Sequence, residues 1–408
     1  MSSPAHYDVI VFGATSFVGQ ILCRVLSEQC AGQFTWAAAG RSQAKLEAVR
    51  AQLGAAGAGL PLIVADAASA ADMRALCAQA RLVVSTVGPY ALYGEQLVQS
   101  CAAGGTDYCD LTGEVQWVRR MIERYEDTAR ATGARIVHCC GFDSIPSDLG
   151  VHFLQREARE RFGQPCTSIK MRVKAMAGTV SGGTAASLVN IAKEAAADPA
   201  LRRELADPYS ICPPGHGFSA RQNPAAGAEY DADFATWTAP FLMAGINTRV
   251  VHRSNALLEA AYGKDFTYDE ATMAKGWLRA QGFTLGIGAF MLGLGVAPLR
   301  GVIEKRVLPQ PGEGPSLEAQ AKGFFDFRFV GKTAQGQQLR VKVTGDRDPG
   351  YGSTAKMLAQ AAACLLLDVP RSERGGGFWT PATVFGDKLI ARLEAHAGLR
   401  FSVLEPAS

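Results

Sequence analysis

The chain has 408 residues, with 41 Lys and Arg against 38 Asp and Glu, for a formal net charge of +3. That length exceeds the roughly 250–300 residues at which one hydrophobic core stops growing, so two domains are expected. An apolar share of 48% argues against disorder, and so small a net charge on so long a chain argues against a nucleic-acid partner.

The first six residues are short and polar and run directly into an apolar segment, with no basic stretch, apolar signal core and cleavage site in sequence, which predicts a cytoplasmic protein. Short apolar runs follow at 8–12, 34–39, 61–65, 82–86, 108–110 and 135–140, separated by segments long enough to be crossover helices. Strands buried on both faces read as continuous apolar runs, so this rhythm predicts a parallel sheet of the doubly wound Rossmann type over 1–145.

The rhythm breaks near Gly141-Phe142-Asp143-Ser144-Ile145-Pro146, and a helical pattern from 147 to 162 carries the chain onward. A strand is expected over 168–175, a helix over 183–197 and a long Pro/Gly-rich surface loop over 208–227. Phe325, Phe327 and Phe329 alternate with polar residues, as do Leu339, Val341 and Val343, and 332–337 supplies a turn between them. This period of two marks an antiparallel hairpin with one buried face, so 146–348 is expected to be an α+β domain with a mainly antiparallel sheet. Two helices, 351–367 and 381–397, are expected to pack back on the first domain, the second with Thr380 as N-cap and Pro381 in its first turn.

The stretch 283–299 carries no charge but contains four glycines and Pro298. At about 17 residues it falls short of the ~20 a bilayer helix wants, which leaves three roles for it: a buried or dimer-contact segment, a peripheral membrane contact, or a span. The ten cysteines include no CxxC pair and no Cys/His spacing of a zinc site, so reduced core thiols and no metal are expected.

The strongest chemical signal is Gly13-Ala14-Thr15-Ser16-Phe17-Val18-Gly19, which follows the first strand and opens a helix. Gly13 permits a tight turn, Gly19 permits close helix-to-strand packing, and the exposed N–H groups of the helix start can receive a pyrophosphate. Ser16 stands where the commonest spacing has its middle glycine, so its side chain must point away from the phosphates or donate to them. After the second strand, where an NAD site uses an acid to hold the ribose 2′-hydroxyl, the chain has Gly40-Arg41-Ser42 and then Lys45. A guanidinium can grip a 2′-phosphate bidentately, so NADP(H) is favoured and NAD(H) is the alternative.

The other strand ends add Asp66 beside the adenine, then Thr86-Val87-Gly88-Pro89-Tyr90 and Tyr93, then Asp110 and Glu114, then Asp143. Ligands of open α/β sheets bind at these carboxyl ends, so the residues outline one crevice. The nicotinamide would supply hydride, and the protein must add a proton or stabilise an anion; Tyr90, Tyr93, Asp110, Glu114 and Asp143 are the candidates, each also readable as a loop residue bonded only to backbone. No tyrosine begins a Tyr-x-x-x-Lys pair, so the short-chain dehydrogenase relay is missing, and His138 reads as core.

With these motifs in hand, the chain resembles the saccharopine dehydrogenase-like oxidoreductases, and within them the branch containing trans-acting enoyl reductases of lipid synthesis. The resemblance spans nearly the whole chain and also rests on Gly105-Thr106-Asp107-Tyr108-Cys109-Asp110-Leu111-Thr112-Gly113-Glu114, Asp348-Pro349-Gly350-Tyr351 and Gly377-Phe378-Trp379-Thr380-Pro381-Ala382. It implies a Rossmann domain joined to an α+β substrate domain, NAD(P) at the first glycine motif, and reduction of a carbon–carbon double bond in a lipid intermediate. A small-molecule or lipid substrate and a homodimer are the expected partners. The alternatives are saccharopine-type reductive amination and a non-catalytic, NADP-binding, lipid-associated protein.

Overall fold

The computed structural model describes residues 6–178, 181–306 and 314–405. Its first sheet is built from β1 (Tyr7–Phe12), β2 (Trp36–Gly40), β3 (Leu62–Val64), β4 (Ala80–Ser85), β5 (Asp107–Asp110) and β6 (Arg135–Val137). Val9, Ile10 and Val11 have no exposure, because helices cover both faces and the run is apolar on both. All neighbours pair in parallel, in the order β3-β2-β1-β4-β5-β6, so the chain reverses direction across the sheet between β1 and β4. β6 stops at Val137, short of the 140 its apolar run suggested, because Cys139 takes φ 64°, a left-handed conformation that no strand continues through.

The second sheet contains β7 (Cys166–Ala177), β8 (Glu229–Asp231), β9 (Thr236–Pro240), β10 (Thr267–Ala274), β11 (Phe324–Thr333) and β12 (Gln338–Gly345). β11 and β12 form the expected hairpin, with Phe327 opposite Val343 and Phe329 opposite Val341. Every pair in this sheet is antiparallel except β7 with β10. Phe325, Phe327 and Phe329 join Val9, Val11 and Leu22 of the first domain in one continuous buried cluster.

The C-terminal segment does more than supply helices. β13 (Gly377–Trp379) extends the first sheet beside β6, and β14 (Leu399–Val403) extends the second beside β12. The first C-terminal helix, Thr354–Leu367, begins three residues later than its pattern suggested, after a wide turn over Pro349–Ser353, and packs on the helix Phe17–Gln29. The second is broken into Pro381–Val384 and Asp387–Arg392 by Gly386 at φ +51°. Arg135 locks the segment in place: its guanidinium pairs with Asp107 and donates to the carbonyls of Leu365 at 3.0 Å and Val369 at 2.5 Å.

The uncharged stretch 283–299 lies in two helices, Trp277–Gly295 and Ala297–Arg306, bent by 110°. Among the described residues no single helix is long and apolar enough to cross a membrane. All ten cysteines are unpaired, and nine are buried.

Candidate active site

The reversal between β1 and β4 opens a crevice at the carboxyl ends of the strands, and the glycine loop fills its centre. Gly13 has φ +90°, and a Cβ there would stand 2.7 Å from both Thr86 Oγ1 and Val87 Cγ2; a Cβ on Gly19 would stand 2.2 Å from the Gly13 carbonyl oxygen. Only glycine fits at these two positions, and the N–H groups of Gly13, Ala14, Ser16 and Gly19 are spent inside the loop, which leaves those of Thr15, Phe17 and Val18 at the helix start for a ligand. Ser16 resolves the question its position raised: its hydroxyl accepts from Gly19 N at 2.9 Å as the helix N-cap and meets Thr86 Oγ1 at 2.9 Å, so it stabilises the loop from within. Thr86 donates in turn to the Gly13 carbonyl at 2.9 Å, tying the loop after β4 to the loop after β1.

Ala14 is fully buried, and the Phe17 ring packs edge-on against Tyr351 with centroids 4.8 Å apart. Thr15 lies beside the end of β2, its Oγ1 3.5 Å from where a Gly40 Cβ would be. At that end Arg41 and Lys45 are exposed, and among the described residues neither is in an ion pair. Ser42 caps the helix Gln43–Gln52 by accepting from Lys45 N. Asp66, at the end of β3, is exposed and turns its carboxylate onto Ala68 N at 3.0 Å. The cradle at Gly13 and Gly19 leaves room for the backbone approach of a dinucleotide, and Arg41 and Lys45 stand exposed beyond it.

On the other side of the reversal the proton-donor candidates separate. Gly88 and Pro89 are joined by a cis bond that leads into the turn Tyr90–Tyr93. The Tyr90 ring is buried, and its hydroxyl donates to the Ser85 carbonyl at 3.0 Å and accepts from Leu111 N at 3.2 Å, so it is committed to the scaffold. Burial is the main cause that raises its phenol well above the ordinary value. Tyr93, at the far end of the turn, is 46% exposed.

Glu114 is fully buried and gathers Tyr90 N at 2.7 Å, Ala91 N at 3.1 Å and Ser187 Oγ at 2.8 Å; burial raises its carboxyl, and those donors oppose the rise. Asp110 meets His138 Nδ1 at 2.6 Å and accepts from Thr112 N and Cys139 N. His138, one residue past the end of β6, has its ring buried against Trp117, Tyr108 and Phe378, a core position.

Asp143 is different. It lies between β6 and the start of the helix Ile145–Phe162, is partly exposed, and receives a hydroxyl from Thr184 at 3.4 Å. Burial lifts its carboxyl from 3.8 to about 6, with Thr184 pulling the other way. A carboxyl titrating there can hold a proton near neutrality and give it up, which is what a general acid needs. Its neighbour Phe142 packs edge-on at 5.0 Å from Phe325 and tilted at 5.5 Å from Phe327, and Phe241 meets Phe327 edge-on at 6.0 Å, so a buried aromatic cluster anchors the turn that carries Asp143 to the second sheet.

Four polar residues of the second domain were not legible in the sequence. Thr184 and Ser187, on the helix Gly182–Ala197, reach Asp143 and Glu114. Asn247 bonds Ser144 at 3.3 Å and Glu270 at 2.9 Å, and Glu270, also bonded by Tyr268 at 2.7 Å, is raised by burial from 4.5 to about 7. Nothing in the local pattern of these segments distinguishes them from ordinary helix and strand residues. Their significance comes from contacts across 23 to 103 residues.

A parallel sheet with a central reversal, a glycine cradle at that reversal and a second, mixed sheet define an α/β oxidoreductase with a Rossmann-type first sheet. No protein-family model matches the chain. The trans-acting enoyl reductase of Mycobacterium bovis strain BCG is 39% identical over 414 residues, covering 96% of this chain and 97% of that protein, and the one from Mycobacterium ulcerans is 36% identical over 410 residues, covering 96% of each. The chain belongs to the trans-acting enoyl reductase family. Its fold is that of the L-Glu-forming saccharopine dehydrogenase of Saccharomyces cerevisiae, which superposes with a TM-score of 0.56 at 12% identity, covering 98% of this chain and all of that one.

Proposed function

We propose that this protein is an NADP(H)-dependent enoyl reductase that saturates a carbon–carbon double bond in an acyl or polyketide-type lipid intermediate. The observation that carries the reading is Asp143: a partly exposed carboxyl, raised to about 6, in the turn that follows β6 at the carboxyl end of the parallel sheet. When bound, the nicotinamide supplies a hydride to the β-carbon of the double bond. Asp143 gives its proton to the α-carbon, where the electron pair of the former double bond collects, and is then reprotonated from solvent. Glu114 holds the Tyr90 turn, so that the wall of the crevice is rigid when substrate arrives. The N–H groups of Thr15, Phe17 and Val18 at the helix start would hold the pyrophosphate, and Arg41 and Lys45 would hold the 2′-phosphate.

The test pairs cofactor binding with turnover. NADPH is expected to bind at least ~10-fold more tightly than NADH, a difference of about 1.4 kcal/mol, and Arg41→Ala to remove most of that gap. NADPH oxidation with an enoyl thioester is expected in the wild type and lost in Asp143→Asn. Background oxidation with enoyl thioesters, while NADPH binds normally, would end the reading.

A further inference from the structure

Among the described residues, exposed large apolar side chains concentrate on the bent helix pair at 277–304. Of the seventeen exposed large hydrophobic side chains among the described residues, nine fall within it, among them Trp277, Leu278, Phe283, Leu285 and Leu292. Concentration on this scale marks an interaction surface rather than scattered surface residues.

The distribution around the helix indicates what kind of surface it meets. From 277 to 294 the buried or half-buried positions Ala280, Gln281, Thr284, Ile287, Phe290 and Leu294 recur every three or four residues as the face packed on the fold, and at about 100° per residue the exposed positions take up most of the remaining circumference, an arc much wider than 100°. A second protein copy would cover a stripe of roughly 100°, as in an ordinary amphipathic helix, and would leave the rest in water. A lipid surface can wet a much broader arc. The charges agree. Between 275 and 304 the chain carries only Lys275, Arg279, Arg300 and Glu304, and Glu304 is paired with Lys193 at 2.8 Å. The remaining three are all cations, two at the start of the Trp277–Gly295 helix and one just past the bend. A helix lying in the headgroup plane would therefore present a cation at each end to anionic lipid, with Trp277 at the level where indole rings favour the interface.

The pair is also close to the chemistry. The Trp277–Gly295 helix packs on Gly182–Ala197, the helix whose Thr184 reaches Asp143 and whose Ser187 reaches Glu114. A packed helix separates axes by about 8–10 Å, so one helix thickness lies between this surface and the crevice.

We propose that 277–304 docks the protein on an anionic lipid bilayer, lying in the headgroup region and holding the crevice against the membrane from which an acyl-chain substrate is drawn. The docking stands on the surface alone, and only the substrate it delivers rests on the enoyl reductase reading. The test floats the full chain with vesicles of phosphatidylcholine, alone or mixed with phosphatidylglycerol, beside the triple variant Leu278→Glu/Leu285→Glu/Leu292→Glu. These leucines are 78%, 70% and 73% exposed, so the variant keeps its core, and its elution volume and NADPH binding check this.

The wild type is expected to bind the anionic vesicles about tenfold or more above the neutral ones, and the triple variant to stay in solution. Quenching of tryptophan fluorescence by brominated lipid is expected in the wild type and reduced in Trp277→Phe. Wild type that ignores both vesicles, or a triple variant that binds like wild type, overturns the proposal. So does a wild-type dimer, indifferent to vesicles, that the triple variant turns into a monomer, since the patch is then a contact between copies. Reduction of a short, water-soluble enoyl thioester separates the two readings: turnover without vesicle binding sinks the docking alone, and vesicle binding without turnover sinks the activity alone.

Discussion

Ser187 donates its hydroxyl to the buried carboxylate of Glu114 at 2.8 Å, joining a helix of the second domain to the loop after β5. The same carboxylate holds the N–H groups of Tyr90 and Ala91, so one side chain fixes the turn after β4 and the domain opposite it.

Glu114→Ala leaves a buried amide donor at Tyr90, a half-buried one at Ala91 and a hydroxyl at Ser187 without their acceptor. Each such loss costs about 1–3 kcal/mol when the group stays dry, and partial hydration of the void offsets some of it. Urea unfolding is expected to show a loss of about 2–4 kcal/mol, with Ser187→Ala losing less because only one of the three bonds goes. Equal losses in the two variants would show that the carboxylate does not organise the turn.

Asp143→Asn is expected to lower kcat by roughly 10²–10⁴ while leaving NADPH affinity intact, since the amide keeps the shape but carries no transferable proton. The protonated carboxyl is the active form, so the wild-type rate should fall as pH rises through about 6. Thr184→Val removes the hydroxyl that favours the charged form, and the falling limb should move to higher pH. A limb that stays in place in Thr184→Val would show that a different group sets the pH dependence.

Glu270 gives a stability prediction of definite sign. Its folded value, about 7, lies above its ordinary 4.5, so between those limits the folded state binds more protons than the unfolded one. Stability is therefore lost as pH rises from about 4.5 to about 7, by an amount on the order of a few kcal/mol. Asp143 and Asp148, both raised to about 6 by burial, add a loss of the same sign. Glu270→Gln is expected to flatten its share of the curve and to narrow the difference between pH 5 and pH 8 in denaturant titrations. A variant curve parallel to wild type would remove Glu270 from the account.

Gly19→Ala places a methyl 2.2 Å from the Gly13 carbonyl oxygen, a backbone atom that cannot swing aside. The loop must open to admit it, and calorimetry is expected to show NADPH affinity at least about tenfold lower. Unchanged affinity would mean that the phosphates bind elsewhere.

The sequence by itself determined the features whose cause is local. Apolar runs such as Val9–Phe12, buried on both faces, can only be parallel strands under helices. The turn at Gly13 needs a residue without a Cβ, and the alternation of Phe325, Phe327 and Phe329 needs one buried face. Tertiary structure decided whatever depends on distant partners. β13 is three residues long, too short for a period, and exists because β6 offers it an open edge. Tyr90 and Asp143 look equally apt as proton donors in the sequence. Folding turns the Tyr90 hydroxyl onto Ser85 and Leu111, and leaves Asp143 with one long hydrogen bond from Thr184, 41 residues away. Local geometry is written in neighbouring residues, whereas burial, and with it the proton affinity of a side chain, is set by whatever the rest of the chain packs against it.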